Sequence, residues 1–182
     1  MSPNHKFFPI QKGEIKTEYS ITGGITEPLS PKAMKHAKLF YEEIRKNRSD
    51  VKKISKNTGF TYEQILLVKN YLFIDVHKLG DDDEIEQRFD ASFEIAESWR
   101  RLAFDPDNIQ HHDLTLLEHE LMEMRLVNEG LTQHEAHLIA SRKYNYALEC
   151  FDFYEKMRTV AIEKSDKTII SGGITLLKGN TH

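Results

Sequence analysis

The sequence predicts an all-α protein, a compact bundle of about six helices, and three observations lead there. Apolar residues recur at three- and four-residue spacing through the middle of the chain. Ser, Thr and Asp stand where those runs begin, and Gly or Pro where they stop. No segment of any length between them alternates with the two-residue period of a strand.

The elements follow in order. Ser30-Pro31 reads as an N-cap followed by Pro at the first helical position, and Ala33, Ala37, Phe40, Tyr41 and Ile44 carry that helix to about Arg48. Asp50 caps a second helix that Gly59 ends, and Thr61 caps a third, with Ile65, Val68, Leu72 and Phe73 inward, ending near His77. After the acidic loop Gly80 to Glu84, Phe93, Ala96, Trp99 and Leu102 mark a fourth helix, closed by Asp105-Pro106. A fifth runs from about Gln110 to Asn128 and stops at Gly130. A sixth opens on Thr132-Gln133-His134-Glu135, a capping box, and continues to about Thr159.

Residues 1–29 and 161–182 read as extended, Gly-rich arms around a core of residues 30–160. The arms carry nearly the same hexapeptide, Ile21-Thr22-Gly23-Gly24-Ile25-Thr26 and Ile170-Ser171-Gly172-Gly173-Ile174-Thr175. β-branched residues around Gly-Gly suit a short β-pair between the copies or docking of each on a like groove. Two linkers of similar composition are the plainer alternative.

Composition narrows the function classes. A chain of 182 residues is of one-domain size, and 39% hydrophobic with 30% charged residues is globular. A net charge of −4 supplies no overall basic field for nucleic acid. The single cysteine, Cys150, fits a reducing compartment and reads as a half-buried helix residue. Neither a signal peptide nor a membrane-length apolar run is present, so no membrane partner is expected.

The chemistry concentrates in the fifth helix. His112, His119 and Glu123 fall within roughly 40° of one another on a helical wheel. Leu114, Leu117 and Leu121 lie opposite and Leu116 and Leu126 beside them, which predicts a helix covered nearly all round. Buried ionisable groups must then be paired, metal-bound or shifted in pKa. His119-Glu120-Leu121-Met122-Glu123 has the form HExxE. In one reading His119 and Glu123, with His137 from the next helix, bind a divalent metal beside Glu120 as a base. In a second, His112, His119, Glu120 and His137 supply a metal-free acid/base pair; in a third, the face is only a solvated set of charges.

Other clusters have bland and sharp accounts. His111-His112-Asp113, with His77, invites comparison with HD-type phosphohydrolases, but Asp113 better serves the helix N-terminus. The stretch Asp50 to Ile65 has the cadence of a helix-turn-helix, in which Tyr62, Glu63, Gln64 and Lys69 would face DNA. A structural corner is the plainer reading. Glu97 and Arg101 form an i,i+4 ion pair, or Arg101 clamps a phosphate or developing oxyanion beside the His/Glu helix. His5, His36 and His182 read as bystanders.

Tyr41-Glu42-Glu43-Ile44-Arg45, Lys56-Asn57-Thr58-Gly59-Phe60, Ala96-Glu97-Ser98-Trp99-Arg100-Arg101-Leu102 and the run Ile109 to Glu123, with His137 and Tyr144-Asn145-Tyr146, carry a family resemblance. Across roughly residues 30–150 the chain resembles the C-terminal domains attached to MuF-type phage head-morphogenesis (minor head) proteins. The resemblance implies a phage- or mobile-element-associated, toxin-like effector, cytoplasmic or virion-associated, with a phage head protein or an immunity protein as partner. Taken with the clustered face, it implies a nuclease or other phosphodiester hydrolase acting on nucleic acid. His119 and Glu120 would then be the acid/base centre, His112 and His137 their partners, Glu123 a ligand or orienter and Arg101 the phosphate clamp. A non-enzymatic interaction module using the arms and a helix-turn-helix DNA binder are the alternatives.

Overall fold

The computed structural model describes residues 21–79 and 85–177, of which 79, 85 and 169–177 are described by their backbone. Helix α1 spans Pro31–Lys46, α2 Asp50–Thr58, α3 Tyr62–Lys69, α4 Phe93–Phe104, α5 His111–Asn128, α6 Gln133–Lys143 and α7 Tyr146–Leu177. The mostly helical class that the periodicity predicts is the class observed.

The capping chemistry works as the side chains dictate. Ser30 Oγ accepts from Ala33 N at 3.2 Å at the start of α1, and reciprocal capping boxes open α3 (Thr61 with Gln64) and α6 (Thr132 with Glu135). Gly59, at φ 81°, ends α2 in the left-handed region and Gly130, at φ 101°, turns the chain after α5, conformations strained for any residue with a Cβ.

Two packed clusters form the interior. Tyr41, Ile44, Ile54, Phe73, Trp99 and Leu116 centre the larger, where α1 to α5 meet. Phe93, Cys150, Phe153, Tyr154 and Met157 form the other under α7, and Ile21 and Ile25 are buried in it. The first hexapeptide is therefore part of the core. Its residues Thr22–Gly24 make a single 3-10 turn, with the Thr22 N–H donating to Glu97 at 2.9 Å. The second hexapeptide lies on the backbone of α7, so the two copies adopt different conformations and form no β-pair; the carboxy-terminal arm is helical to Leu177. Helix propagation from the amphipathic start of α7 overrides the local preference of Gly-Gly. Residues 1–20 and 178–182 of the arms lie outside the described residues.

Three local differences from the sequence reading shape the site. The third helix stops at Lys69 and continues as a π-turn, Asn70–Ile74, closed by Asp75 N donating to Asn70 O at 2.8 Å. A two-stranded antiparallel ribbon follows, β1 (His77–Leu79) with β2 (Ile85–Gln87), paired in the register His77 with Gln87. Three residues per strand are too few to show a period. The sixth helix is two, because at Tyr144 the chain leaves helical geometry (φ −126°, ψ 84°) and Asn145 Oδ1 accepts from Leu148 N at 3.2 Å, starting α7 afresh.

Candidate metal centre

Helix α5 is enclosed by α3, α4, α6 and α7, as its all-round apolar pattern predicts, and His112, Asp113, His119, Glu120 and Glu123 are all buried along it. Near its C-terminal half, His119 and Glu123, one turn apart, meet His137 from α6. His119 Nε2 lies 3.1 Å from Glu123 Oε2 and 3.3 Å from His137 Nδ1, and His137 Nδ1 lies 2.8 Å from Glu123 Oε2. All three are the kinds of atom that bind a metal ion.

Surrounding groups aim these atoms. The Tyr144 carbonyl, freed by the break between α6 and α7, accepts from His119 Nδ1–H at 2.9 Å. Because a carbonyl only accepts, the proton of a neutral His119 is on Nδ1 and the Nε2 lone pair points into the cluster. Tyr71 OH donates to Glu123 Oε1 at 2.9 Å, and Gln133 Nε2 donates to the same oxygen, leaving Oε2 directed at the imidazoles. Two acceptors, His119 Nε2 and Glu123 Oε2, thus face each other at 3.1 Å. A donor or cation must stand among them: the Nδ1–H of His137, 2.8 Å from Glu123 Oε2 and 3.3 Å from His119 Nε2, a second proton on His119, or a metal ion.

The electrostatics are strongly biased. Burial pushes the Glu123 carboxyl up, but hydrogen bonds with His119, His137 and Tyr71 outweigh it and hold the carboxyl at about 2. The hydrogen bond to Glu123 raises His137 above its ordinary value. Glu120 is pushed well above the usual carboxylate range by burial and by the negative charge of Glu123. Beside this cluster opens a cavity of about 660 Å³ into which Glu120, Glu123 and His137 face.

The structure separates the other predicted site residues from this centre. His112 shares the stripe of His119 but lies two turns away, roughly 10 Å along the axis, where its neighbours are Phe153 (ring centroids 4.8 Å apart) and Arg101. Arg101 faces inward from α4, fully buried, and donates to Asp113 Oδ2 and Oδ1 at 2.8 and 2.6 Å and to His112 at 2.9 Å. Its guanidinium is committed to that network, which corrects both the phosphate-clamp role and the expected Glu97 pair. Glu97 is instead 3.0 Å from Arg100 and 3.3 Å from His36, so His36 is no bystander. Asp113 also accepts from Gln110 N at 2.8 Å, the helix-start role expected of it. His77 stacks on Phe89 and its Nε2 lies 2.7 Å from Tyr71 O, apart from His111, which is exposed against Glu149. His5 and His182 lie outside the described residues.

In the α2–α3 corner, Lys69 is buried and bonded to Asp50 at 2.8 Å, while Asp50 also accepts from Trp99 Nε1 at 3.0 Å. The basic residue named for the would-be recognition helix is thereby bonded within the core. Cys150 is buried rather than half-buried, its thiol pushed up to about 12 by burial.

Tyr71, Gln133 and the Tyr144 carbonyl are site groups that sequence reasoning did not find. Comparison of the chain with protein-family models, with curated proteins and with solved structures finds no match.

Proposed function

We propose that the chain is a metal-dependent hydrolase in which His119, Glu123 and His137 hold a divalent cation and Glu120 is the base beside it. The observation that carries this reading is the convergence of two imidazole nitrogens and one carboxylate oxygen at the edge of a cavity, His119 and Glu123 each aimed by a further group. Tetrahedral zinc with ligands near 2.0–2.1 Å sets donor atoms roughly 3.3–3.5 Å apart. The contacts of 3.1 and 3.3 Å are close to that, while the 2.8 Å between His137 Nδ1 and Glu123 Oε2 is a direct hydrogen bond that would have to open, and His137, with a half-exposed side chain, has room to move.

A bound divalent cation would lower the pKa of water and polarise the group under attack. The protein's own contribution is orientation and proton transfer: Glu120 faces the same cavity as Glu123 and His137, without competing as a ligand in the cluster. The donor set suits Zn²⁺ and Fe²⁺ alike, and the carboxyl of Glu120 in the cavity favours hydrolysis. The resemblance to MuF-type C-terminal domains supplies a setting, a phage-associated effector. With Arg101 occupied, a phosphodiester substrate has lost the clamp expected for it.

Metal analysis of the purified chain tests the reading. One equivalent of divalent metal in the wild type and none in the His119→Ala/His137→Ala variant is the expected result. A wild type that takes up no divalent metal, with a proton satisfying His119 instead, overturns it.

A further inference from the structure

Resting on the hydrolase reading, we infer that the site acts on an amide or ester that is uncharged or cationic and carries an apolar group beside the scissile carbonyl, rather than on a phosphodiester. The cavity has an apolar wall and an acidic one. Tyr41 and Leu72 are buried in its floor, with Ile95 and Phe89 partly exposed next to them. Four rings and branched chains of this kind form a seat for a hydrophobic side chain.

The charged lining has the wrong sign for a nucleic-acid backbone. Asp90, Glu123 and Glu135 face the cavity with the Glu120 carboxyl, whose ionisation burial disfavours, and among the described lining residues Lys78 is the one lysine or arginine, beside His134 and His137. Enzymes that transfer phosphoryl groups surround the reacting phosphate with cations that neutralise its non-bridging oxygens. Here the nearby buried cations are bonded elsewhere, Arg101 to Asp113 and Lys69 to Asp50. A neutral carbonyl flanked by an apolar group meets none of that repulsion and gains from the hydrophobic seat.

For an amide the step balances without a co-reactant. The water oxygen bonds to the carbonyl carbon, the carbon–nitrogen bond breaks, and both water protons finish on the leaving nitrogen, the first carried by Glu120. The products are a carboxylate and an ammonium.

Calorimetric titration of the zinc-loaded full chain with two hydroxamates and one phosphate diester tests the inference. Isovalerohydroxamate and acetohydroxamate chelate identically and differ only in apolar bulk. Each added carbon buried is worth about 0.8 kcal/mol, so isovalerohydroxamate is expected to bind at least tenfold tighter. Phe89→Ala should shrink that ratio severalfold. Bis(4-nitrophenyl) phosphate should bind more weakly than either. Equal affinity for the two hydroxamates, no hydroxamate binding by zinc-loaded protein, or tighter binding of the phosphate diester each overturns the substrate class while leaving the metal reading intact. Failure to load zinc overturns both.

Discussion

Arg101 on α4 and Asp113 on α5 form a two-pronged ion pair, 2.8 and 2.6 Å, with both side chains wholly shielded from water. Breaking such a pair strands a charge in the interior, which costs far more than the pair itself contributes. Arg101→Met or Asp113→Asn is therefore expected to lower unfolding stability by about 3–5 kcal/mol in urea denaturation. The double variant Arg101→Met/Asp113→Leu, which strands no charge, should lose less than the sum. Single-site loss of activity with full stability would instead return Arg101 to a substrate-binding role.

His112 adds a pH dependence to the same network. Its Nε2 accepts from Arg101, so the ring is neutral, and burial together with the guanidinium, against the opposing pull of Asp113, lowers it to about 4. The unfolded ring titrates near 6.5, so between about 6.5 and 4 the unfolded chain binds the extra proton and stability falls as pH falls. Asp113, also lowered because Arg101 outweighs its burial, acts in the same direction on further acidification. The His112 share is on the order of 3 kcal/mol. Urea midpoints at pH 7.5 and 4.5 should show a steeper acid loss in the wild type than in His112→Gln; parallel losses would refute this account.

Tyr71 reaches Glu123 from the π-turn that replaces the end of the predicted third helix. Groups that orient a metal ligand without touching the metal typically contribute 10–100-fold in affinity. Tyr71→Phe removes one hydroxyl and should weaken Zn²⁺ binding by about that factor, measured by competition with a chelator, with little change in the helical content. Unaltered affinity would show that Gln133 alone suffices to hold Glu123.

The legible and illegible parts of this protein differ in the range of their causes. Ser30-Pro31, Thr61 with Gln64, and Thr132 with Glu135 announce helix starts because a cap is a contact between neighbours in sequence. His119 and Glu123 share a face because 3.6 residues make a turn, so their approach is legible from spacing, whereas which other helix residue meets them depends on packing. Tyr71, Gln133 and the Tyr144 carbonyl were not legible, since they join the cluster through the packing of α5 and α6 against the π-turn. Arg101 was misassigned for the same reason: its partner Asp113 lies on another helix, and nothing local distinguishes an inward arginine from an outward one. The unlike fates of the two hexapeptides also depend on what each meets, Glu97 and the second core cluster in one case and a preceding helix in the other.

The break between α6 and α7 gives the last prediction, because it links a capping residue to the metal centre. Asn145 Oδ1 accepts from Leu148 N, while the adjacent Tyr144 carbonyl, outside both helices, accepts from His119 Nδ1–H. Asn145→Ala removes the cap, a loss of about 1 kcal/mol, and favours continuous helix through 144–146, in which that carbonyl, which now accepts from Tyr146 N at 3.0 Å as well as from His119, would turn along the helix axis and away from His119. His119 would then lose the partner that fixes its tautomer. Thermal unfolding of Asn145→Ala should show the modest loss expected of a cap, together with weaker Zn²⁺ binding; Asn145→Asp, which retains the cap, should preserve both. A variant that loses cap stability yet binds zinc as the wild type does would show that His119 is held by its packing alone.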